Sequence, residues 1–338
     1  MRDPLLHHGD TEVGDGLLDF AVNVYDGPRP PWLDRALHAS LDAARSYPSA
    51  TEAEHALARR HGRRPDQVLA TAGAAEAFSL LARLRPWRHP VVVHPQFTEP
   101  HAALHQAGNR VNAVVLPRPF TLLPDLVPDD ADLVVLGNPT NPTGVLHPRA
   151  TVERLLRPGR VVVVDEAFLD AVPGEPESLT AKDTDGLVVI RSLTKHWGIP
   201  GVRAGYLLAD DALVAELRRG QVPWSVSTTA AAAMVACATD EARIEAARRA
   251  RELQAWRADL EESLARLGIQ HIPSRASFVL AEVGDGVHAA LRATGIAVRR
   301  ADTFPGLGPS WVRIAVREPA RTTPLLDALS ALRPDALG

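Results

Sequence analysis

The chain has 338 residues, 46% of them hydrophobic and 23% charged, with 37 Lys plus Arg against 41 Asp plus Glu and a formal net charge of −4. That length accommodates one large and one smaller domain with a sizeable core, and the composition is that of an ordinary soluble globular protein. It excludes a basic tract of the kind that follows nucleic acid, a run of membrane-spanning length, and, with Cys237 as the sole cysteine, an intrachain disulfide. The opening Met1-Arg2-Asp3-Pro4 leads into His7-His8-Gly9-Asp10 without the apolar stretch of a signal peptide, so a reducing cytoplasm is the expected location.

Taken in order, 52–61 and 74–84 read as amphipathic helices. Short apolar runs at 91–93, 111–116, 133–136, 161–164, 187–190 and 204–208 read as strands. Several of these runs are continuous rather than alternating, which predicts strands buried on both faces of a mostly parallel sheet. After about residue 240 the pattern changes. A long charged helix at 241–267 precedes a strand at 277–283, a helix at 287–294, strands at 296–299 and 311–316, and a last helix at 320–332. The order predicts an α/β core, with ligands taken at the carboxyl ends of its strands, followed by a smaller α+β domain.

Only two lysines, Lys182 and Lys195, stand among thirty-five arginines. Arginine supplies surface charge equally well, but only lysine sheds its proton readily enough to attack a carbonyl. Lys182 sits in a polar stretch. Lys195 lies in Ser192-Leu193-Thr194-Lys195, with Arg203 eight residues on, so two hydroxyls and a guanidinium suited to an anion surround it.

Asp165 ends the run Val161–Val164, where an acid points into the ligand cleft or caps the next element. The segment Asn138-Pro139-Thr140-Asn141-Pro142-Thr143-Gly144 follows another strand and makes a rigid loop with amide donors. Gly73-Ala74-Ala75 opens a helix whose free N–H groups suit a phosphate. Together these supply an amine, a carboxylate and a phosphate anchor, the groups that pyridoxal 5′-phosphate requires. No G-x-G-x-x-G and no Walker motif points to a nicotinamide or nucleotide enzyme instead.

Ser-Leu-Thr-Lys-x-x-Gly-Ile-x-Gly-x-Arg at 192–203, Asn-Pro-Thr-Gly at 141–144 and Asp-Glu-Ala-Phe at 165–168 resemble the class I/II aminotransferase superfamily of fold type I over nearly the whole chain. Stretches at 18–23, 191–203, 221–226 and 304–317 resemble the threonine-phosphate decarboxylases of the cobalamin pathway more than the sister histidinol-phosphate aminotransferases. The resemblance implies a large domain at 46–240, with a mostly parallel seven-stranded sheet between helices. It also implies an N-terminal arm with a substrate-site segment at 1–45 and a small C-terminal domain at 241–338.

By the same resemblance Lys195 would form the Schiff base, Asp165 would pair with the pyridine nitrogen, and Asn141 would donate to the phenolic oxygen. Phe97 would stack on the ring. Ala74, Ala75, Ser192, Thr194 and Arg203 would hold the phosphate, joined by Tyr47 from the partner subunit of a homodimer with shared sites. Asn23, Arg299 and Arg313 would meet the substrate carboxylate, while His8, Asn23 and Arg191 are candidates for the substrate's own phosphate.

The expected activity is decarboxylation of O-phospho-L-threonine or a close relative, the alternative being transamination of a small phosphorylated amine or amino acid. No metal, nucleic acid or membrane is implied. Phe168 stands where many aminotransferases carry a tyrosine, which leaves the phenolic oxygen to Asn141. Pro100 and the segment 23–28 also depart from the family pattern near the substrate.

Overall fold

The structure, a computed structural model, describes residues 3–332. Its regular elements begin with β1 (Leu18–Phe20), α1 (Pro31–Ala43), α2 (Thr51–His61), β2 (Val68–Thr71) and α3 (Ala74–Arg83). They continue through β3 (Pro90–His94), α4 (Glu99–Gln106), β4 (Asn112–Val115), β5 (Leu133–Gly137), α5 (Arg149–Glu153), β6 (Val161–Asp165), β7 (Leu187–Ser192) and β8 (Gly205–Leu208). The remainder is α6 (Asp211–Gly220), α7 (Thr228–Cys237), α8 (Asp240–Arg266), β9 (Gln270–Ile272), β10 (Phe278–Glu282), α9 (Val287–Ala293), β11 (Ile296–Arg300), β12 (Trp311–Ala315) and α10 (Pro319–Ala331).

Seven strands form one sheet in the order β2-β8-β7-β6-β5-β3-β4. Neighbours from β7 to β4 are parallel, whereas β8 runs antiparallel to both β7 and β2. The continuous apolar runs have a direct cause here. Successive side chains on a strand point to opposite faces. Val161 and Val163 enter one core cluster with α3, α4 and α6, while Val162 and Val164 enter a second beyond the other face. Each of these valines is at most 5% exposed, and burial of such a side chain contributes roughly 1.5–3 kcal/mol. Both faces therefore demand apolar residues.

The second sheet has the order β1-β11-β12-β10-β9. Its first strand comes from the N-terminal segment: Leu18, Asp19 and Phe20 pair in parallel with Ile296, Ala297 and Val298. This short strand lies at the sheet edge beside β11 and brings Ala21, just after it, within reach of the Arg313 side chain on β12. Among the described residues no helix is long and apolar enough to cross a membrane.

Candidate active site

A cavity of about 490 Å³ opens at the carboxyl ends of β5, β6 and β7, between the two sheets. Lys195, Asp165, Asn141, Phe97, Ala74, Ala75, Ser192, Thr194, Arg203, Asn23, Arg299 and Arg313 all line it, although their sequence positions span 23 to 313. Tyr47 does not. It is 79% exposed and stacks on Trp224, itself 60% exposed, with ring centroids 4.5 Å apart.

Lys195 follows the β7 strand end, and its carbonyl accepts from the Tyr25 N–H at 2.9 Å. Burial, reinforced by Arg313 and Arg203, pulls its ammonium down to about 8. Asp165 is pushed up to about 6 by burial, against the opposing effects of the Ala167 N–H and Lys195. The Ala167 N–H donates to Asp165 Oδ1 at 3.0 Å, and the Asn138 N–H donates to its carbonyl at 2.8 Å. The carboxylate is thus held by the loop that follows it, and its main chain by the loop after β5.

Asn141 is oriented by its neighbour. Arg313 Nη1 donates to Asn141 Oδ1 at 2.6 Å, and since a guanidinium only donates, the amide nitrogen is left to donate elsewhere. Arg313 Nη2 donates to the Ala21 carbonyl at 2.6 Å, so β1's continuation holds the same guanidinium. Burial brings Arg313 down to about 9 and Arg299 to about 10. The Asn23 Nδ2 is buried and finds no hydrogen-bond partner among the described residues. Such an orphan donor on the cavity wall is costly unless a ligand accepts from it.

The anion cradle has its own geometry. Gly73, at φ +78°, caps α3 with no side chain, leaving the first N–H groups of that helix open. Ser192 Oγ and Thr194 Oγ1 lie 2.8 Å apart. Arg203 adopts a left-handed backbone at φ 60°, uncommon outside glycine, and a Cβ on Gly73 would come within 2.5 Å of its Nη2. A Cβ on Gly205 would meet the backbone of Gly73 and Ala74 at 2.7–2.9 Å. Backbone cannot swing aside, so Gly205→Ala is expected to lower stability by about 1–3 kcal/mol and to weaken cofactor binding. Thermal unfolding and a cofactor titration measure both, and an unchanged protein on both counts would contradict this account of the cradle.

Several lining residues were not among the sequence candidates. The N-terminal segment contributes His7, Gly9 and Asp10 beside His8, and Thr98, Glu99 and Phe304 complete the mouth. Arg299 Nη2 holds this segment by donating to the His7 carbonyl at 2.6 Å and to Thr303 Oγ1 at 2.7 Å. The clue in the sequence was a run too polar for a buried start, His7-His8-Gly9-Asp10. Its glycine is required, since a Cβ there would lie 2.8 Å from the Ala21 carbonyl oxygen. Arg191, a candidate for substrate phosphate, is outside the cavity lining, and both its terminal nitrogens are taken by three carboxylates. Phe168 packs edge-on against Phe278, with centroids 4.9 Å apart, and has no hydroxyl to offer the cavity.

An amine, a fixed carboxylate and an anion cradle around one cavity define a pyridoxal-phosphate enzyme of the α/β class. The chain matches the class I and II aminotransferase family over residues 15–329 and belongs to it. It is 47% identical over 316 residues to a histidinol-phosphate aminotransferase of Mycobacterium tuberculosis, covering 92% of this chain and 86% of the relative. It is 35% identical to the threonine-phosphate decarboxylase of Salmonella typhimurium, covering 93% and 91% of the two chains. A histidinol-phosphate aminotransferase of Sinorhizobium meliloti, solved with pyridoxal-5′-phosphate, has the same fold at a TM-score of 0.81. The two chains are 21% identical, with 94% of this chain and 90% of that one aligned. The cofactor is pyridoxal 5′-phosphate.

Proposed function

We propose that the chain is an aminotransferase acting on a small phosphorylated amine or amino acid, in the manner of the histidinol-phosphate aminotransferases. The observation that carries it is Lys195, whose amine is brought down to about 8 within a cavity walled by Asp165, Asn141 and Arg313. The 47% identical relative favours transfer over the decarboxylation that the subgroup motifs suggested. When bound, pyridoxal phosphate supplies an electron sink for the bonds at the substrate Cα.

The residues divide the work around that sink. Asp165 keeps a proton on the pyridine nitrogen, and Asn141 donates to the phenolic oxygen through the amide nitrogen that Arg313 leaves free. Phe97, on the cavity wall, would stack on the ring. Ala74, Ala75, Ser192, Thr194 and Arg203 hold the phosphate. Asn23, Arg299 and Arg313 take the substrate carboxylate. Lys195, the amine that lines the cavity, would carry the proton to and from the substrate Cα.

The pH dependence has a definite sign. A neutral amine attacks and an ammonium does not, so the reactivity of Lys195 rises with pH through about 8 in the cofactor-free protein. Reductive methylation followed by peptide mass analysis reads this directly, and an inflection for Lys195 above pH 10 would contradict it.

The exposed Tyr47, Trp224 and Val222 form the surface through which a second copy docks, and Tyr47 reaches the partner's cofactor phosphate. The units 1–45, 46–240 and 241–338 are proposed as arm, large domain and small domain, their ends at 1–2 and 333–338 lying outside the described residues. A cytoplasmic location fits this reading.

Decarboxylation of phosphothreonine is the second reading, favoured by the hydroxyl-free Phe168 and the 35% identical relative. Incubating the holoenzyme with histidinol phosphate, and separately with phosphothreonine, in the presence of 2-oxoglutarate distinguishes the two. Glutamate formation without CO2 is expected. CO2 release from phosphothreonine without glutamate would overturn transamination in favour of the second reading.

A further inference from the structure

Behind the cavity lies a cluster of one cation and three acids that no step above uses, buried except for the partly exposed Glu175. Glu166 directly follows Asp165, and Arg191 directly precedes Ser192; their side chains are 0% and 1% exposed. Arg191 Nη1 donates to Glu166 Oε2 at 3.1 Å and to Glu175 Oε2 at 2.7 Å, and Nη2 donates to Asp170 Oδ1 at 2.5 Å. Glu166 is also gripped by the Ser178 hydroxyl at 2.9 Å and the Leu179 N–H at 2.7 Å. Asp170 and His196, the residue after Lys195, line a small chamber, and Lys195 lines both that chamber and the cavity. Members of the cluster are thus one residue removed from Asp165 and from Ser192, and Asp170 lies behind Lys195.

Stability alone does not account for this arrangement. Buried ion pairs are weak stabilisers because desolvation offsets their attraction, and one acid suffices to pair a guanidinium. Its planar fork, however, fixes several acceptors in one geometry, which a point charge cannot do. Here those acceptors come from the end of β6 and from the loop after it, while the guanidinium comes from β7.

We propose that Arg191, clasped by Glu166, Asp170 and Glu175, is a positioning residue that sets Asp165 and Ser192 relative to Lys195 and thereby fixes how the cofactor lies in the cavity. The proposal rests on Asp165, Ser192 and Lys195 facing the cofactor. It also explains why Arg191 is unavailable to a substrate phosphate.

The acids respond differently to burial. Glu166 is pushed up to about 7, while Asp170 is held below the usual carboxylate range by Arg191 and His196 despite its burial. Asp170 is therefore the informative position. In Asp170→Asn the guanidinium keeps Glu166 and Glu175, so its charge remains paired and the fold is retained.

The test compares holoenzymes of the parent, Asp170→Asn and Arg191→Lys. For Asp170→Asn we expect kcat to fall by about 10- to 100-fold, with KM within about threefold and a changed visible circular dichroism of the bound cofactor. Arg191→Lys, which keeps the charge and loses the fork, should show the same pattern; if it does not fold, Asp170→Asn decides alone. A lowered unfolding temperature with kcat and visible dichroism unchanged would reduce the cluster to a structural one and overturn the proposal. A Lys195→Ala protein separates the two levels. If it keeps the cofactor's Schiff-base absorbance, the underlying site reading fails; if that absorbance is lost while Asp170→Asn matches the parent, only the clasp fails.

Discussion

Lys195→Ala is expected to abolish turnover, by on the order of 10^4- to 10^6-fold, while leaving the fold intact. The two halves of this prediction have one origin. A lysine at about 8 in the folded chain and near 10.5 when unfolded is penalised by folding at neutral pH, because the unfolded chain binds its proton more tightly. That penalty is full below about pH 8 and disappears as pH rises beyond the unfolded value. Removing the amine relieves it, so at pH 7 the cofactor-free variant should unfold at the same temperature as the parent or higher. Lys195→Arg should be as inactive as the alanine variant, since arginine remains protonated. Thermal unfolding and a coupled transaminase assay measure both halves. A variant with lowered stability and retained turnover would contradict the assignment.

Asp165→Asn is expected to lower turnover by about 10^2- to 10^3-fold, because the amide keeps the shape and loses the charge that stabilises a protonated ring nitrogen. Asparagine still accepts from the Ala167 N–H, so local structure should persist. The sign of the stability effect matches that of Lys195. A carboxyl pushed up to about 6 by burial opposes folding above that pH, so the cofactor-free Asp165→Asn protein should be no less stable at pH 7. In the parent chain, cofactor affinity should weaken as pH falls through about 6 and the carboxylate is lost. Affinity that holds in Asp165→Asn and does not fall with acid would place the nitrogen's partner elsewhere.

Much of this site was legible because its chemistry is dense in sequence. Lys195 has Ser192, Thr194 and Arg203 within eleven positions, and Asp165 and Asn141 follow apolar runs that read as buried strands. Those runs were readable because each feeds two cores, as the valines of β6 do. Other features carried no such mark. β2 has four residues, Val68-Leu69-Ala70-Thr71, and its membership in the sheet depends on pairing with β8 rather than on its own pattern. The reversed direction of β8 is likewise a matter of topology, since strand direction leaves no trace in an apolar run. β1 joins a sheet built from residues more than two hundred positions away.

The substrate side was the least readable part. Arg191, Arg299 and Arg313 look alike among thirty-five arginines, yet their surroundings set them apart. Arg191 is tied to Glu166, Asp170 and Glu175; Arg299 bonds the His7 carbonyl and Thr303; Arg313 orients Asn141. Only tertiary contacts distinguish a clasp from a ligand-binding residue. The same holds for Tyr47, whose exposure and stacking on Trp224 gain meaning only beside a second subunit.

The scarcity of lysine gives the central claim a direct test. Borohydride reduction of the holoenzyme fixes the cofactor to whichever amine carries it, and peptide mass analysis then has two lysines to choose between. The phosphopyridoxyl group should appear on the peptide containing Lys195 and be absent from the one containing Lys182. Its appearance on Lys182 alone, or on neither lysine, would contradict the account.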